Sequence, residues 1–264
     1  MTDTLSIGEL IAGWRRRRRM SQLELALEAG ISQRHLSFLE SGRSRPSRDM
    51  VLRLSEQMSV PMRERNALLV AAGHAPSFRE QSIDHIEMAA ARQAVQSILD
   101  GHRPHPALAL DRHWNLLLAN APALRLMDGA DASLAQAPVN VLRLSLHPRG
   151  LAARIINYRH WKAHIVQRLI QQIELTGDQE LVALLDEIRS FPVPAKAEPH
   201  SGKVAGGHPI AVPLRLASPQ GVLSFLSTTT IFGSALDITL SELTIETFFP
   251  ADPHTAEVMR LADL

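Results

Sequence analysis

Gln33 and Arg34 stand side by side in SQRHLSF, residues 32–38, and their side chains are well suited to reading nucleic-acid bases. A glutamine amide donates and accepts together against an adenine edge, and an arginine donates two parallel bonds to a guanine edge. Phe38, about one helical turn on, offers an apolar ring to a thymine methyl. Arg43 and Arg45 follow in SGRSRPS, residues 41–47, a loop composition that brings guanidinium groups to backbone phosphates. Gln22 opens an earlier helix, where free backbone N–H groups form a seat for an anion. These residue types point to contact with DNA and not to covalent chemistry.

The other candidate groups lead less far. Among the 12 histidines, His160 and His164 have the spacing that shares one helical face. A zinc-protease pattern would need glutamate at position 161, and Trp161 is there. His102 and His105 flank Pro104 in a linker, and His200 and His208 fall in a loop. The absence of cysteine excludes disulfides, thiolate metal sites and cysteine nucleophiles. No glycine-rich phosphate cradle follows a strand, and no nucleophile elbow or convincing carboxylate pair is present. The chain reads as a non-enzyme with no cofactor and no metal site.

The elements that position Gln33 and Arg34 are written in the same stretch. Ser21 is placed to cap a first short helix, Gly30 to end it at a positive φ, and Ser32 to cap a second. Ala26 is small where two steeply crossing helices nearly touch, and Ile31, Leu36 and Leu39 face inward. That leaves Ser32, Gln33, Arg34, Ser37 and Phe38 outward. The spacing predicts a helix-turn-helix, whose second helix enters the major groove.

Around it, residues 6–72 read as five helices. Ile7, Leu10, Ile11 and Trp14 share one face of the first; Met50, Val51, Leu54 and Met58 point inward from the fourth. The run Arg15–Arg19 covers a full turn at about 100° per residue, so its members cannot all face DNA, and most are expected to be solvated. Charge is uneven: residues 1–80 carry 13 arginines against 9 acidic residues, and the remainder carries 15 basic against 18 acidic. A basic module on a mildly acidic body suits a nucleic-acid binder with a separate regulatory half.

Arg15, Ser21-Gln22, Leu36-Ser37 and Glu40-Ser41-Gly42 together resemble the DNA-binding domain of XRE-type, lambda-repressor-like regulators. The resemblance spans about seventy residues, and it implies that Arg15 pairs with Glu40 and not with DNA.

The length of 264 residues accommodates two modest domains. The expected limits are 1–76 for the all-α helix-turn-helix domain, 77–104 for a linker with a helix over Glu87–Leu99, and 105–264 for an α+β domain. In the last, Pro106–Met127 reads as two short strands around Asp111-Arg112 and then a helix. Asn140–Leu175 is helical with a break at Pro148–Gly150, and another helix runs through Asp178–Ile188. Strand-like segments start at Ile210, Gly221 and Leu236, with turns at Pro219–Gly221 and Gly233–Ser234, and a closing helix covers Pro253–Leu261. Helices between an early strand pair and three later strands give a PAS-like sheet with one face covered.

The Asp111-Arg112 turn, Trp114 and Ala119-Asn120-Ala121 resemble the ligand-binding domain of MmyB-like transcription regulators. So do Asn140-Val141-Leu142-Arg143, the run from Leu146-His147-Pro148 to Gly150-Leu151, and Ile156-Asn157. The family implies a PAS-like pocket for a small apolar or fatty-acid-like molecule. From the apolar periodicity, Leu142, Leu146, Ile155, Trp161, Phe225 and Ile245 are candidates for its walls. Arg112, His147 and Asn157, drawn from the best-matched segments, are candidates for a polar rim.

The chain is therefore expected to be a DNA-binding transcription regulator whose operator affinity responds to a small apolar ligand. The alternative is an antitoxin-like protein controlled by a protein partner. A homodimer on double-stranded DNA is expected because one module reads too few base pairs. No apolar run approaches a membrane span and no signal-peptide pattern opens the chain, so the expected location is the cytoplasm.

Overall fold

The structure is a computed structural model that describes residues 5–198, 211–233 and 235–262. His200, His208, the first residue of the strand expected from Ile210, and Ser234 of the expected turn lie outside the described residues. The chain divides into two compact units: residues 1–80 with 235–241, and residues 81–234 with 242–264.

The first unit holds five helices in its N-terminal stretch: α1 (Ile7–Arg17), α2 (Gln22–Glu28), α3 (Gln33–Glu40), α4 (Arg48–Gln57) and α5 (Met62–Ala71). Serines cap four of them. The Ser6 and Ser21 hydroxyls accept from the amides of Glu9 and Glu24, whose carboxylates reach back to the capping residues. Ser32 and Ser47 cap α3 and α4 in the same way, each accepting from a backbone amide in the first turn. Gly30 sits at φ 63° in the corner between α2 and α3, a conformation that costs a residue with a Cβ. Gly8 is glycine for a different reason: a Cβ there would lie 2.4 Å from the Glu40 carbonyl oxygen, because α1 runs against the end of α3. Leu25, Ala26, Leu36, Leu39, Leu54 and Leu69 form the centre of the core, with Ile31 half-buried at its margin. The segment 235–241 joins this unit, where the Ile238 amide donates to the Arg79 carbonyl at 2.9 Å.

The arginine run divides its labour. Arg15 donates through Nε and Nη2 to both Glu40 oxygens, at 2.6 and 2.9 Å, and through Nη1 to the Met20 carbonyl. Arg18 donates to the carbonyls of Met58 and Ser59, orphan acceptors at the end of α4, and lies with Arg17 over the Trp14 ring. Arg15 and Arg18 are thus structural, the first as the resemblance implied, while Arg16, Arg17 and Arg19 are exposed, in keeping with a largely solvated run.

The second unit begins with a 3-10 turn and α6 (Ala89–Gly101). Strands β1 (Ala107–Leu110) and β2 (Leu116–Ala119) lead into α7 (Ala121–Met127), α8 (Val141–Leu146), α9 (Tyr158–Thr176) and α10 (Gln179–Ser190). Then come β3 (Leu214–Ser218), β4 (Gly221–Ile231), β5 (Thr244–Pro250) and α12 (Pro253–Ala262), while α11 (Ile238–Glu242), between β4 and β5 in the chain, belongs up to Ser241 to the first unit. The five strands form one curled antiparallel sheet in the order β2-β1-β5-β4-β3. Side chains alternate across it. Leu108, Leu216, Leu223 and Phe225 face the layer of α8, α9 and α10, which contributes Leu142, Tyr158, Trp161, Ile165, Leu184 and Ile188 to the same core. The stretch from Leu236, expected as strand, is helical over α11. The Asp237 carboxylate accepts from the amides of Thr239 and Leu240 and starts a turn there, so only Thr244 onward joins the sheet. The helical break after α8 is also longer than the expected Pro148–Gly150: the α-helix resumes only at Tyr158, after a 3-10 turn at Ala152–Arg154.

Three buried asparagines fasten these layers. The Asn120 carbonyl accepts from the amides of Ala107 and Ala123, and its NH₂ donates to the carbonyls of Leu99 and His105. Asn140 caps α8 and donates to the His113 carbonyl; Asn157 joins α9 to β3. Each is less than 7% exposed, and a buried amide persists only when its donors and acceptors are used.

The Glu40 network gives a test. Burial by itself raises the Glu40 carboxyl, but hydrogen bonds from Arg15 and Gln22 and the nearby positive charges outweigh it and hold the group below the usual carboxylate range. The folded value lies below the unfolded one, so the stabilisation is full above about pH 4.3 and is lost as pH falls through the folded value. Glu40→Ala leaves a nearly buried guanidinium without its partner and is expected to cost about 3–5 kcal/mol at neutral pH. Glu40→Gln should cost less, and urea titrations should show its deficit narrowing between pH 6 and pH 3. A deficit independent of pH would contradict the ionic account.

Candidate functional sites

The first site is the outward face of α3. Ser32, Gln33 and Arg34 are exposed, and Ser37 and Phe38 are half-buried beside them. The orientation follows from the core: Leu36 and Leu39 are fully buried, which leaves the opposite side of α3 to solvent. Arg34 and Arg43 both stack on Phe38, with guanidinium carbons 5.4 and 5.8 Å from the ring centroid. Phe38 therefore serves as a platform for two cations, a role its expected contact with a thymine methyl did not include. Arg43 and Arg45 are exposed in the loop after α3. Gln22 differs from the rest: its amide donates to Glu40 Oε2 at 2.7 Å. In this arrangement the Gln22 side chain completes the Arg15–Glu40 network that holds α3 and is not turned outward to a phosphate.

The second site lies between the sheet and its covering helices. An apolar cavity of about 90 Å³ is lined by side chains from β1, β3, β5, α7, α8 and α9, among them Leu108, Leu216, Leu126, Leu142 and Trp161. Ser145, Arg168 and Glu246 are the polar side chains in its wall. Ser145 accepts from the Trp161 indole at 3.3 Å. Arg168, from α9, pairs with Glu246 of β5 and donates to the Thr229 hydroxyl at 3.0 Å, while Thr229 donates to the same Glu246 oxygen at 2.8 Å. The guanidinium lies 4.6 Å from the centroid of Trp114. His164, about one turn earlier on α9, is pushed below its ordinary value by burial and by Arg168, with Glu246 opposing.

The candidates named from sequence separate into four groups. Leu142 and Trp161 line the cavity. Leu146, Ile155 and Phe225 lie in the surrounding core without reaching the cavity wall. Ile245 is buried on the other face of the sheet: it is adjacent to Glu246 in β5 and pairs with Ala109, so alternation turns it away. Arg112, His147 and Asn157 do not form a polar rim. Arg112 lies 3.3 Å from Asp178 and 3.9 Å from Glu242. His147 packs edge-on against Phe191 and accepts from the Arg149 amide, and Asn157 donates to the Pro213 carbonyl and accepts from the Arg215 amide. The polar groups at the cavity are Arg168 and Glu246, which sequence reasoning missed. Glu246 carried a signal, as a charge at an inward position of TIETFF, aligned with Phe248.

These two sites, on a helix-turn-helix and on a covered antiparallel sheet, define a DNA-binding transcription regulator with a ligand-binding domain. The comparisons agree. Residues 91–262 match the model of the MmyB-like transcription regulator ligand binding domain, and residues 11–65 match a helix-turn-helix family model. The chain belongs to the MmyB-like family, with an XRE-type helix-turn-helix at its N-terminal end. Comparison with curated proteins gives no match. The two domains are those of a transcription regulator and not of an enzyme family. No helix among the described residues is long and apolar enough to cross a membrane.

Proposed function

We propose that the chain recognises an operator through α3 and that occupancy of the apolar cavity by a small molecule alters that recognition. Gln33 and Arg34 read base edges, Arg43 and Arg45 meet phosphates, and Ser32 and Ser37 add polar contacts on the same face. The observation that carries the DNA half is the outward face of α3, where Gln33 and Arg34 are exposed and two guanidiniums stack on Phe38. Phe38 holds Arg34 and Arg43 together, so base and phosphate contacts share one platform. The protein works as a two-fold pair, with half-sites about 34 Å apart along the duplex.

The ligand half is supported by the cavity's apolar wall. Ligand pockets for drug-sized molecules run to about 300–1,000 Å³, and the cavity of about 90 Å³ is far smaller. An apolar or fatty-acid-like ligand therefore requires the wall to open.

Two experiments test this reading. Gln33→Ala should cost about 1–3 kcal/mol and relax preference at one base pair, while Arg43→Ala should weaken all sequences alike and lower the salt slope by about one unit. Operator selection followed by salt-dependent titration separates the two signatures, and unchanged preference in Gln33→Ala would refute the base-reading role. For the ligand half, linkage is reciprocal: a ligand that shifts operator affinity by a given factor must itself be bound more or less tightly by that factor on operator DNA. Calorimetric titration of an apolar ligand with and without saturating operator checks this, and identical affinities would leave the cavity uncoupled from DNA.

A further inference from the structure

The outermost strands of the sheet, β2 and β3, have their free sides sealed. Beside β2, the Leu116 amide donates to the Val139 carbonyl at 2.8 Å, and Asn115 bridges to Asn140. Beside β3, the Ile156 amide donates to the Arg215 carbonyl at 2.9 Å, and the Arg215 amide donates to the Asn157 side chain at 3.1 Å. β4 is different. Only residues 221–225 pair with β3, whereas residues 225–231 pair with β5, so residues 226–231 have no strand on their other side among the described residues. β3 reaches no further because Pro213 precedes it without an N–H, and the Pro213 carbonyl is taken by Asn157. The Ser224 carbonyl accepts from the Ala251 amide on the β5 side, and backbone groups alternate along a strand. Ser227, Thr229 and Ile231 therefore turn their N–H and C=O groups to the open edge.

We propose that this open half of β4 is the joint through which two copies of the chain pair, the strands lying antiparallel about a two-fold axis at Thr229. Ser227 then faces Ile231 of the second copy, each supplying the N–H and C=O that the other lacks, and Thr229 faces its own counterpart. One sheet runs through both copies. The residues of the edge favour this occupant. Exposed strand edges are normally blunted by charge, proline or a bulge. Residues 226–231 read LSTTTI, with no charge and no proline, and they pair with β5 without a shift of register. Threonine and isoleucine suit a pleated surface, and Thr228, Thr229, Thr230 and Ile231 are all exposed. An uncharged edge offers no complement to a charged segment, whereas a copy of itself satisfies it group for group in the geometry of a two-fold pair. So short a joint buries less than the roughly 800 Å² per partner of a standard interface. It is therefore weak in free solution and is completed on an operator, whose adjacent half-sites hold two copies at high effective concentration.

This inference rests on the reading of the protein as a two-fold pair on DNA, and the test separates the two. Operator duplexes carrying one or two half-sites are titrated with the full chain, and the gain in affinity of the second copy is measured. Scoring that gain against each variant's own affinity for the single half-site cancels any direct effect of charge on DNA and shows that the reading helix is intact. In the proposed pairing Thr228 of one copy lies opposite Thr230 of the other. Thr228→Lys with Thr230→Lys sets like charges opposite each other on both sides of the axis and should lower the gain about tenfold. Thr228→Lys with Thr230→Glu sets opposite charges there and should restore it. Both variants lose the same Thr228–Thr247 hydroxyl contact, so the difference between them reports the joint alone. Ile231→Pro removes an N–H from the open edge without touching the ladder to β5, and should lower the gain several-fold. Equal gains in the Lys–Lys and Lys–Glu variants, or an unaffected Ile231→Pro, overturn the β4 joint and leave a pair formed elsewhere. Wild-type protein that fills two half-sites with no gain overturns the pair itself, and the joint with it.

Discussion

Glu246 is a nearly buried carboxylate on the face of the sheet that the helices cover, and its pairing with Arg168 sets much of what surrounds it. A lone ionised group there would carry a desolvation penalty that the fold could not sustain, so a cation has to arrive from the helical layer. α9 delivers it as Arg168, and the pair ties the helix to the centre of the sheet. With Arg168 over β5, Trp161, Ile165 and Leu169 of α9 turn into the core. The same placement lays the guanidinium on Trp114, whose indole donates to Gln172 of α9, and Gln172 in turn donates to the Arg112 carbonyl. One ion pair thus links the sheet's centre, the long helix and the turn between β1 and β2.

The helix-turn-helix unit uses the same device on a smaller scale. Arg15, Glu40 and Gln22 come from α1, α3 and α2, and their three side chains meet in one hydrogen-bonded cluster. Pairs of this kind add little net stability over an apolar core of equal volume, but they penalise every other arrangement of the helices. For a reading helix that penalty matters more than stability, since a base contact requires the outward face of α3 to be aimed correctly.

How far each unit was legible in the sequence follows from how local its signals are. The first unit is written in neighbours: a serine three residues before the amide it caps, and a glycine where the backbone turns left-handed. The outward position of Gln33 and Arg34 followed from Leu36 and Leu39 for the same reason. The strands of the second unit were legible by alternation, but Leu236, Ile238 and Leu240 alternate too, and the Asp237 cap overrode that pattern. The polar rim was not legible, because it depends on pairings across long stretches of chain. Asn157 is used by residues 213 and 215, and Arg112 by residues 178 and 242. A polar residue in a well-matched segment is as often holding the backbone as facing a ligand. Glu246 was the informative exception, since a charge in the inward register must be answered by something.

The small volume of the cavity, about 90 Å³, constrains any sensing mechanism more than its apolar lining does. If the ligand-competent state is one in which the cavity has widened, it is a minor state of the free protein, and the apparent affinity falls by the fraction widened. A tight-binding apolar tail has to supply that deficit through the area it buries, about 25 cal/mol per Å². The cost of opening is also where sensitivity to the ligand originates. A preformed, open pocket would bind without changing the protein, and a ligand indifferent to conformation shifts no equilibrium however tightly it is held. A cavity that has to widen to admit its ligand avoids that outcome, because occupancy and widening then become one event.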